Sequence, residues 1–234
     1  LTLPFSREER EQHRIPRPMR FFLDSASPEE ARKVRDWGLL DGVWLSAAAA
    51  EAAGTGYRRA VREMAAVTDG PVLVEPGSDD AKGMYKAARE LAKLGKDIVI
   101  QLPIESNGLR VARLLSQDQV AVCASGCYSA AQALVAAKAN VAYVAPSVGP
   151  LDDIGSIGMD LVEQVIRIYD NYGFQTQILV SEVRNAVHVL DAVLVSDCGV
   201  VINPTVVEGL EELLEAVALV AEQVARGHPA VLEG

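Results

Sequence analysis

The sequence predicts a single closed (β/α)8 barrel, and three observations carry that expectation. Eight short apolar runs alternate with stretches of helical period along most of the 234 residues. Most of these runs are apolar at consecutive positions, as strands of a parallel sheet covered on both faces are. The first run leads into Asp24-Ser25-Ala26-Ser27. It therefore lacks the glycine-rich phosphate turn that often follows the first strand of the rival architecture, an open doubly wound sheet.

The elements follow in order. Residues 1–19 read as an extended arm, since Pro4, Pro16 and Pro18 interrupt it and its many charges leave no apolar stretch of a secretory signal. The barrel domain is placed at residues 20–234. Its first strand is expected at Phe21–Asp24. Ser27-Pro28-Glu29-Glu30 then opens a helix with an N-cap serine, a proline at the first helical position and early acids. The second and third strands fall at Val43–Ser46 and Val72–Glu75. Asp80–Leu94 has apolar positions three and four apart, an amphipathic helix before a fourth strand at Ile98–Leu102. The fifth and sixth strands are Val120–Ser125 and Tyr143–Val148. A helix over Gly158–Tyr172 leads to the seventh, Ile178–Val183, and the eighth is assigned to Val193–Asp197. A long last helix is expected from Thr205 to Arg226, stopping at Gly227.

Composition narrows the function. Half of the residues are hydrophobic, yet no run approaches the roughly 18 consecutive apolar residues of a membrane span. A soluble cytoplasmic protein is expected. The net charge of -10 leaves no basic surface to displace phosphate counterions, which argues against a nucleic-acid partner. Cys123, Cys127 and Cys198 lack metal-ligand spacing, and His13, His188 and His228 are scattered. No metal site and no cofactor motif is read from them, and the thiols are expected to be reduced.

In a barrel of this kind the reacting groups stand at the C-terminal ends of the strands. Those positions hold Asp24, Ser46, Glu75, Gln101, Ser125, Ser147, Glu182 with Arg184, and Asp197. Cys123 lies two residues before Ser125, on the same face. Glu75 and Gln101 interrupt otherwise apolar strands, and a polar group there costs desolvation free energy unless it is satisfied. The purely structural alternative has these two side chains bonding each other in the barrel interior and Asp24 capping the first loop.

Several motifs are recognisable. They are Phe21-Phe22-Leu23-Asp24, Gly38-Leu39-Leu40-Asp41-Gly42-Val43, Ser129-Ala130-Ala131-Gln132-Ala133, Val148-Gly149-Pro150-Leu151-Asp152-Asp153-Ile154-Gly155 and Ile168-Tyr169-Asp170-Asn171-Tyr172-Gly173-Phe174. Together they resemble the small transaldolases and fructose-6-phosphate aldolases from Arg20 to Asp197. The tail after Asn203 does not look like that family's C-terminal segment.

The resemblance implies a Schiff-base lysine on the fourth strand, and the matching position in Ile98-Val99-Ile100-Gln101-Leu102-Pro103 is Gln101. An amide nitrogen cannot form an iminium. Lys33, Lys82, Lys86, Lys93, Lys96 and Lys138 fall in expected helices or loops, so the family's aldol chemistry is not expected. By the same resemblance Asp24 matches the acid–base aspartate, and Glu75 and Ser125 match the groups that activate and hold a catalytic water. Trp44-Leu45-Ser46-Ala47 replaces Thr-Thr-Asn-Pro, which alters substrate binding at Trp44 and Ser46. Pro150 replaces a phosphate-binding arginine, and Glu182-Val183-Arg184 replaces Ser-x-Arg. Glu182 is expected to pair with Arg184 and repel phosphate. A homo-oligomer is implied as well.

The expected protein is therefore an enzyme with a rebuilt pocket. Asp24, Glu75, Gln101 and Ser125 are its catalytic candidates, with Gln101 polarising a carbonyl. Trp44, Ser46, Cys123, Ser147, Glu182 and Arg184 are its binding candidates, although Cys123 has no histidine to activate it and is read mainly as packing. Lyase or isomerase chemistry on a small polar carbonyl or polyhydroxylated metabolite fits this set. Two alternatives stand beside it: a non-catalytic homologue that binds a metabolite or a protein, and an aldolase that uses another lysine.

Overall fold

A computed structural model describes residues 19–195 and 198–212. Eight parallel strands close on themselves in sequence order. They are β1 (Arg20–Asp24), β2 (Gly42–Leu45), β3 (Val72–Val74), β4 (Ile98–Pro103), β5 (Val122–Cys127), β6 (Tyr143–Pro146), β7 (Gln177–Val180) and β8 (Gly199–Ile202). Closure is made by β1 on β8, with Phe21 opposite Val200 and Phe22 opposite Val201.

Nine described helices surround the barrel: α1 (Pro28–Asp36), α2 (Ala47–Ala52), α3 (Tyr57–Val67), α4 (Ala81–Ala92), α5 (Ser106–Gln117), α6 (Ala130–Lys138), α7 (Val148–Asp153), α8 (Gly158–Tyr172) and α9 (Ala186–Val195). The chain is helical again over 204–212. No described helix is long and apolar enough to cross a membrane. The local signals act as read. Ser27 caps α1 by accepting from the Glu30 N–H at 3.3 Å, with Pro28 at its first position. Gly173 ends α8 at φ 65°, a left-handed cap that glycine adopts without a Cβ clash.

One element moves. Val193–Val195, assigned to the eighth strand, belongs to α9, and the strand is Gly199–Ile202. Two apolar runs stand close together here, and length does not separate them. Burial does: Val193 and Leu194 are exposed, whereas Val200, Val201 and Ile202 are buried. A strand covered on both faces needs the second pattern. Asp197, the expected polar end of that strand, lies outside the described residues, as do 1–18 and the part of the expected last helix beyond 212.

Two apolar layers result. The outer one fills the space between strands and helices, with Leu45, Ile100, Leu102 and Val144 meeting Met64, Leu115, Val162 and Val165. The inner one fills the barrel itself with Phe22, Leu73, Val99, Cys123, Tyr143, Ala145, Leu179 and Val201. Phe22 sets its width. A Cβ at Gly42 would run into the Phe22 ring, and one at Gly199 would collide with Leu179 and press on the same ring. At the N-terminal end Arg20 lies over the Phe22 and Tyr143 rings, 5.6 and 5.7 Å from their centroids. The interior is a packed plug, and a cavity opens above it at the C-terminal mouth, where barrels of this kind place their active sites.

Candidate active site

A cavity of about 250 Å³ opens at that mouth, lined by Asp24, Trp44, Glu75, Ser125, Gly126, Ser147, Ser181, Glu182, Val183, Val201 and Asn203. Six of the ten residues singled out in the sequence line it: Asp24, Trp44, Glu75, Ser125, Ser147 and Glu182. Period-2 geometry explains how. Each polar residue stands two positions after an inner-layer residue of its own strand: Asp24 after Phe22, Glu75 after Leu73, Ser125 after Cys123, Ser147 after Ala145.

Three carboxylates share this space, Asp24, Glu75 and Glu182, and among the described residues no lysine or arginine lines it. Burial, reinforced by the negative charges of Glu75 and Glu182, raises the Asp24 carboxyl from an ordinary 3.8 to about 6. Glu75 is fixed from two sides. Its Oε2 accepts from the Ala47 N–H at 3.2 Å, and its own N–H donates to the Tyr57 hydroxyl at 2.6 Å. Glu182 has φ 57°, a left-handed backbone for a residue with a side chain, a strain of order 1–3 kcal/mol that concentrates at functional sites. Partial burial raises its carboxyl, and the nearby Arg184 opposes the rise.

The hydroxyls have set directions. Ser125 Oγ donates to the Leu102 carbonyl at 3.3 Å, which leaves its lone pairs for a ligand donor. Ser181 Oγ donates to the Pro146 carbonyl at 3.0 Å and lies 3.4 Å from Ser147 Oγ. Ser181 and Asn203 were missed in the sequence. Ser181 stood inside the seventh apolar run, its period-2 relation to Leu179 unused, and Asn203 followed a strand that was misplaced.

Four candidates are elsewhere. Gln101 does not line the cavity. It is 2 % exposed, and neither its Nε2 nor its Oε1 has a hydrogen-bond partner. The Gln101–Glu75 bond of the structural alternative is therefore not formed, and the expected amide aimed at a ligand carbonyl does not line the cavity either. Ser46 is an N-cap, with its Oγ accepting from the Ala49 N–H at 3.0 Å. Cys123 is fully buried in the inner layer, and burial pushes its thiol far above the ordinary range. That leaves it no nucleophilic role. Arg184 pairs with Asp153 and not with Glu182: both its terminal nitrogens bond that carboxylate, Nη2 at 2.5 Å from Oδ2. Asp153 sits on α7, the helix that directly follows β6, where a planar guanidinium finds a fork of two oxygens.

Among the described residues no group of three or more His, Cys, Asp or Glu side chains is arranged to hold a metal ion. Carboxylates in such a space can exchange protons with a compact polar ligand.

Comparison with known proteins finds a family model and several relatives. The profile of the transaldolase/fructose-6-phosphate aldolase family matches residues 21–226, so the likeness continues through the tail after Asn203. A probable transaldolase of Coprothermobacter proteolyticus is 42% identical over 174 residues, covering 74% of this chain and 80% of that protein. One from Aquifex aeolicus is 41% identical over 177 residues, 76% and 82% of the two chains. Another, from Jannaschia, is 38% identical over 192 residues, 82% and 88%.

Proposed function

The chain belongs to the transaldolase/fructose-6-phosphate aldolase family, and from that premise we propose that its cavity performs amine-free acid–base chemistry of the isomerase or lyase type. The ligand is a small carbonyl or polyhydroxylated metabolite without phosphate. One observation carries the reading: Asp24, held at about 6 beside Glu75 and Glu182, is a carboxyl poised to take and return a proton near neutral pH.

Asp24 is the base in this scheme. It removes a proton from the carbon beside the carbonyl, and the electron pair moves onto the carbonyl oxygen to give an enolate. In isomerisation a hydroxyl proton passes between the two oxygens and the carbon proton returns to the former carbonyl carbon; in loss of water the enolate pair re-forms the carbonyl and expels a β-hydroxyl, which leaves with the proton. Glu75 and Ser125 hold the ligand hydroxyls. A phosphate fits poorly, because three carboxylates face the space and no cationic side chain among the described residues lines it.

The aldolase or transaldolase activity in the relatives' names needs an amine at the reacting carbon. Gln101 stands where the resemblance puts that amine, and no lysine among the described residues lines the cavity, which weighs against an aldolase using a substitute lysine. The stranded amide of Gln101 favours one second reading, a homologue that binds a metabolite without turning it over. The exposed Val187, Leu190 and Leu194 of α9 support a homo-oligomer that covers them.

The test is deuterium uptake. Dihydroxyacetone, glyceraldehyde, fructose and fructose 6-phosphate are incubated with the protein in heavy water and followed by NMR. Exchange beside the carbonyl of the unphosphorylated compounds, lost in Asp24→Asn, is the expected result. Binding without exchange would establish the second reading, and imine trapping by borohydride would restore the aldolase.

A further inference from the structure

Gln101 breaks a pattern that its neighbours keep. On β1, β3, β5, β6 and β7 the residue two positions beyond an inner-layer side chain reaches the cavity: Asp24, Glu75, Ser125, Ser147 and Ser181. On β4 the inner-layer residue is Val99, and the residue two beyond it is Gln101. It faces the same interior and remains 2 % exposed, with both amide atoms unpartnered and no part in the cavity lining. Something covers it.

The candidates are few. Glu75 and Ser125 line the cavity from the two strands flanking β4, and among the described hydrophobic residues Trp44 and Val201 belong both to the lining and to the inner layer or the residues packed against it. These last two are the boundary between the two spaces. Trp44 lies on β2 opposite Asp24 of β1 and Leu73 of β3, two strands from β4, and it is the only indole among the described lining residues. Its reach covers the centre of a narrow barrel, which valine cannot do.

We propose that Trp44 is the specificity-determining residue of this cavity: with Val201 it forms a floor that stops ligands above Gln101 and excludes the fourth-strand position from the reaction. The inference rests on the reading of the cavity as the reaction site. It favours a compact substrate, since the open cavity of about 250 Å³ is below the ~300–1,000 Å³ common for ligand pockets. The floor also accounts for the stranded amide, which is shut away from ligand atoms.

Thiol labelling tests the floor without using turnover. Gln101→Cys and Ser125→Cys are treated with methyl methanethiosulfonate under native conditions and read by intact mass. Native Cys123, Cys127 and Cys198 are buried and give a slow background. Gln101→Cys should react at least about tenfold more slowly than Ser125→Cys, and adding Trp44→Ala should remove most of that difference, because access governs the rate. Equal labelling of the two single variants with Trp44 in place overturns the proposal, and that comparison stands even where Trp44→Ala does not fold. In deuterium uptake, Trp44→Ala should lower KM for six-carbon over three-carbon substrates. An unchanged preference would also overturn it. A protein that shows no exchange at all but passes the labelling comparison keeps the floor and loses the proposed reaction, so the two failures are distinguishable.

Discussion

The Tyr57 hydroxyl, on α3, accepts the backbone N–H of Glu75 at 2.6 Å and lies 3.3 Å from the Leu45 carbonyl, to which it donates. One phenol thus ties the ends of β2 and β3 together at the cavity rim and sets where the Glu75 carboxylate begins.

Tyr57→Phe should therefore do two things. The Glu75 N–H loses its partner, at a cost of about 1–3 kcal/mol for a group left unsatisfied away from water, read by urea unfolding. The carboxylate loses its anchor, so kcat for exchange should fall severalfold with KM little changed. A loss of stability with kcat intact would make Tyr57 purely structural.

Gln101→Met should raise stability. The two side chains are close in size, and the substitution replaces two orphaned amide atoms with a thioether that needs no partner. Relief of the desolvation penalty is on the order of 1–3 kcal/mol, observable as a higher unfolding midpoint at unchanged m-value. Exchange activity should survive, because the amide does not reach the cavity. A large loss of activity would mean that Gln101 touches the ligand during turnover.

Arg184 gives a contrast. Its guanidinium is committed to Asp153 on α7 and packs so close to Gly149 that a Cβ there would stand 2.7 Å from its Nε. Arg184→Ala should leave KM for unphosphorylated substrates within about twofold, as expected for an exposed ion pair away from the lining. A marked rise in KM for fructose 6-phosphate alone would show that Arg184 leaves Asp153 to hold a phosphate.

The barrel was legible because parallel strands buried on both faces leave consecutive apolar runs, and seven of the eight runs were strands. Val193–Val195 misled because its run is as apolar as Gly199–Ile202, and only three-dimensional exposure separates the two. The carboxylates of the site were legible too, since polar residues at strand ends need a reason. What the sequence could not show was the ring's depth. Period-2 counting puts Gln101 on the same face as Val99, but whether that face opens onto solvent depends on an indole two strands away. Partner choice was likewise hidden: Glu182 is two residues from Arg184, yet the left-handed backbone at Glu182 accompanies an arginine bonded to a residue 31 positions distant.

Asp24 ties stability to activity through pH. Its carboxyl rises from 3.8 to about 6 on folding, chiefly by burial, so the folded chain holds this proton more tightly than the unfolded one. Between those two values the unfolded state has released the proton while the folded state keeps it, and stability falls as pH rises. Above about 6 both states are ionised and the penalty is complete, about 2–3 kcal/mol for a rise of this size. Asp24→Asn cannot ionise. It should unfold at higher denaturant than wild type at pH 8, by about that free energy, and the two should converge below pH 4. The same substitution should abolish exchange, the trade expected where a destabilising group is kept for chemistry. In wild type, kcat/KM should rise with pH through a limb near 6, since only the ionised base takes a proton. Glu75→Gln should move that limb down, but not to 3.8, because burial outweighs the Glu75 charge among the causes. A limb near 4 in wild type, or an Asp24→Asn variant no more stable than wild type at pH 8, would remove Asp24 from the role of base.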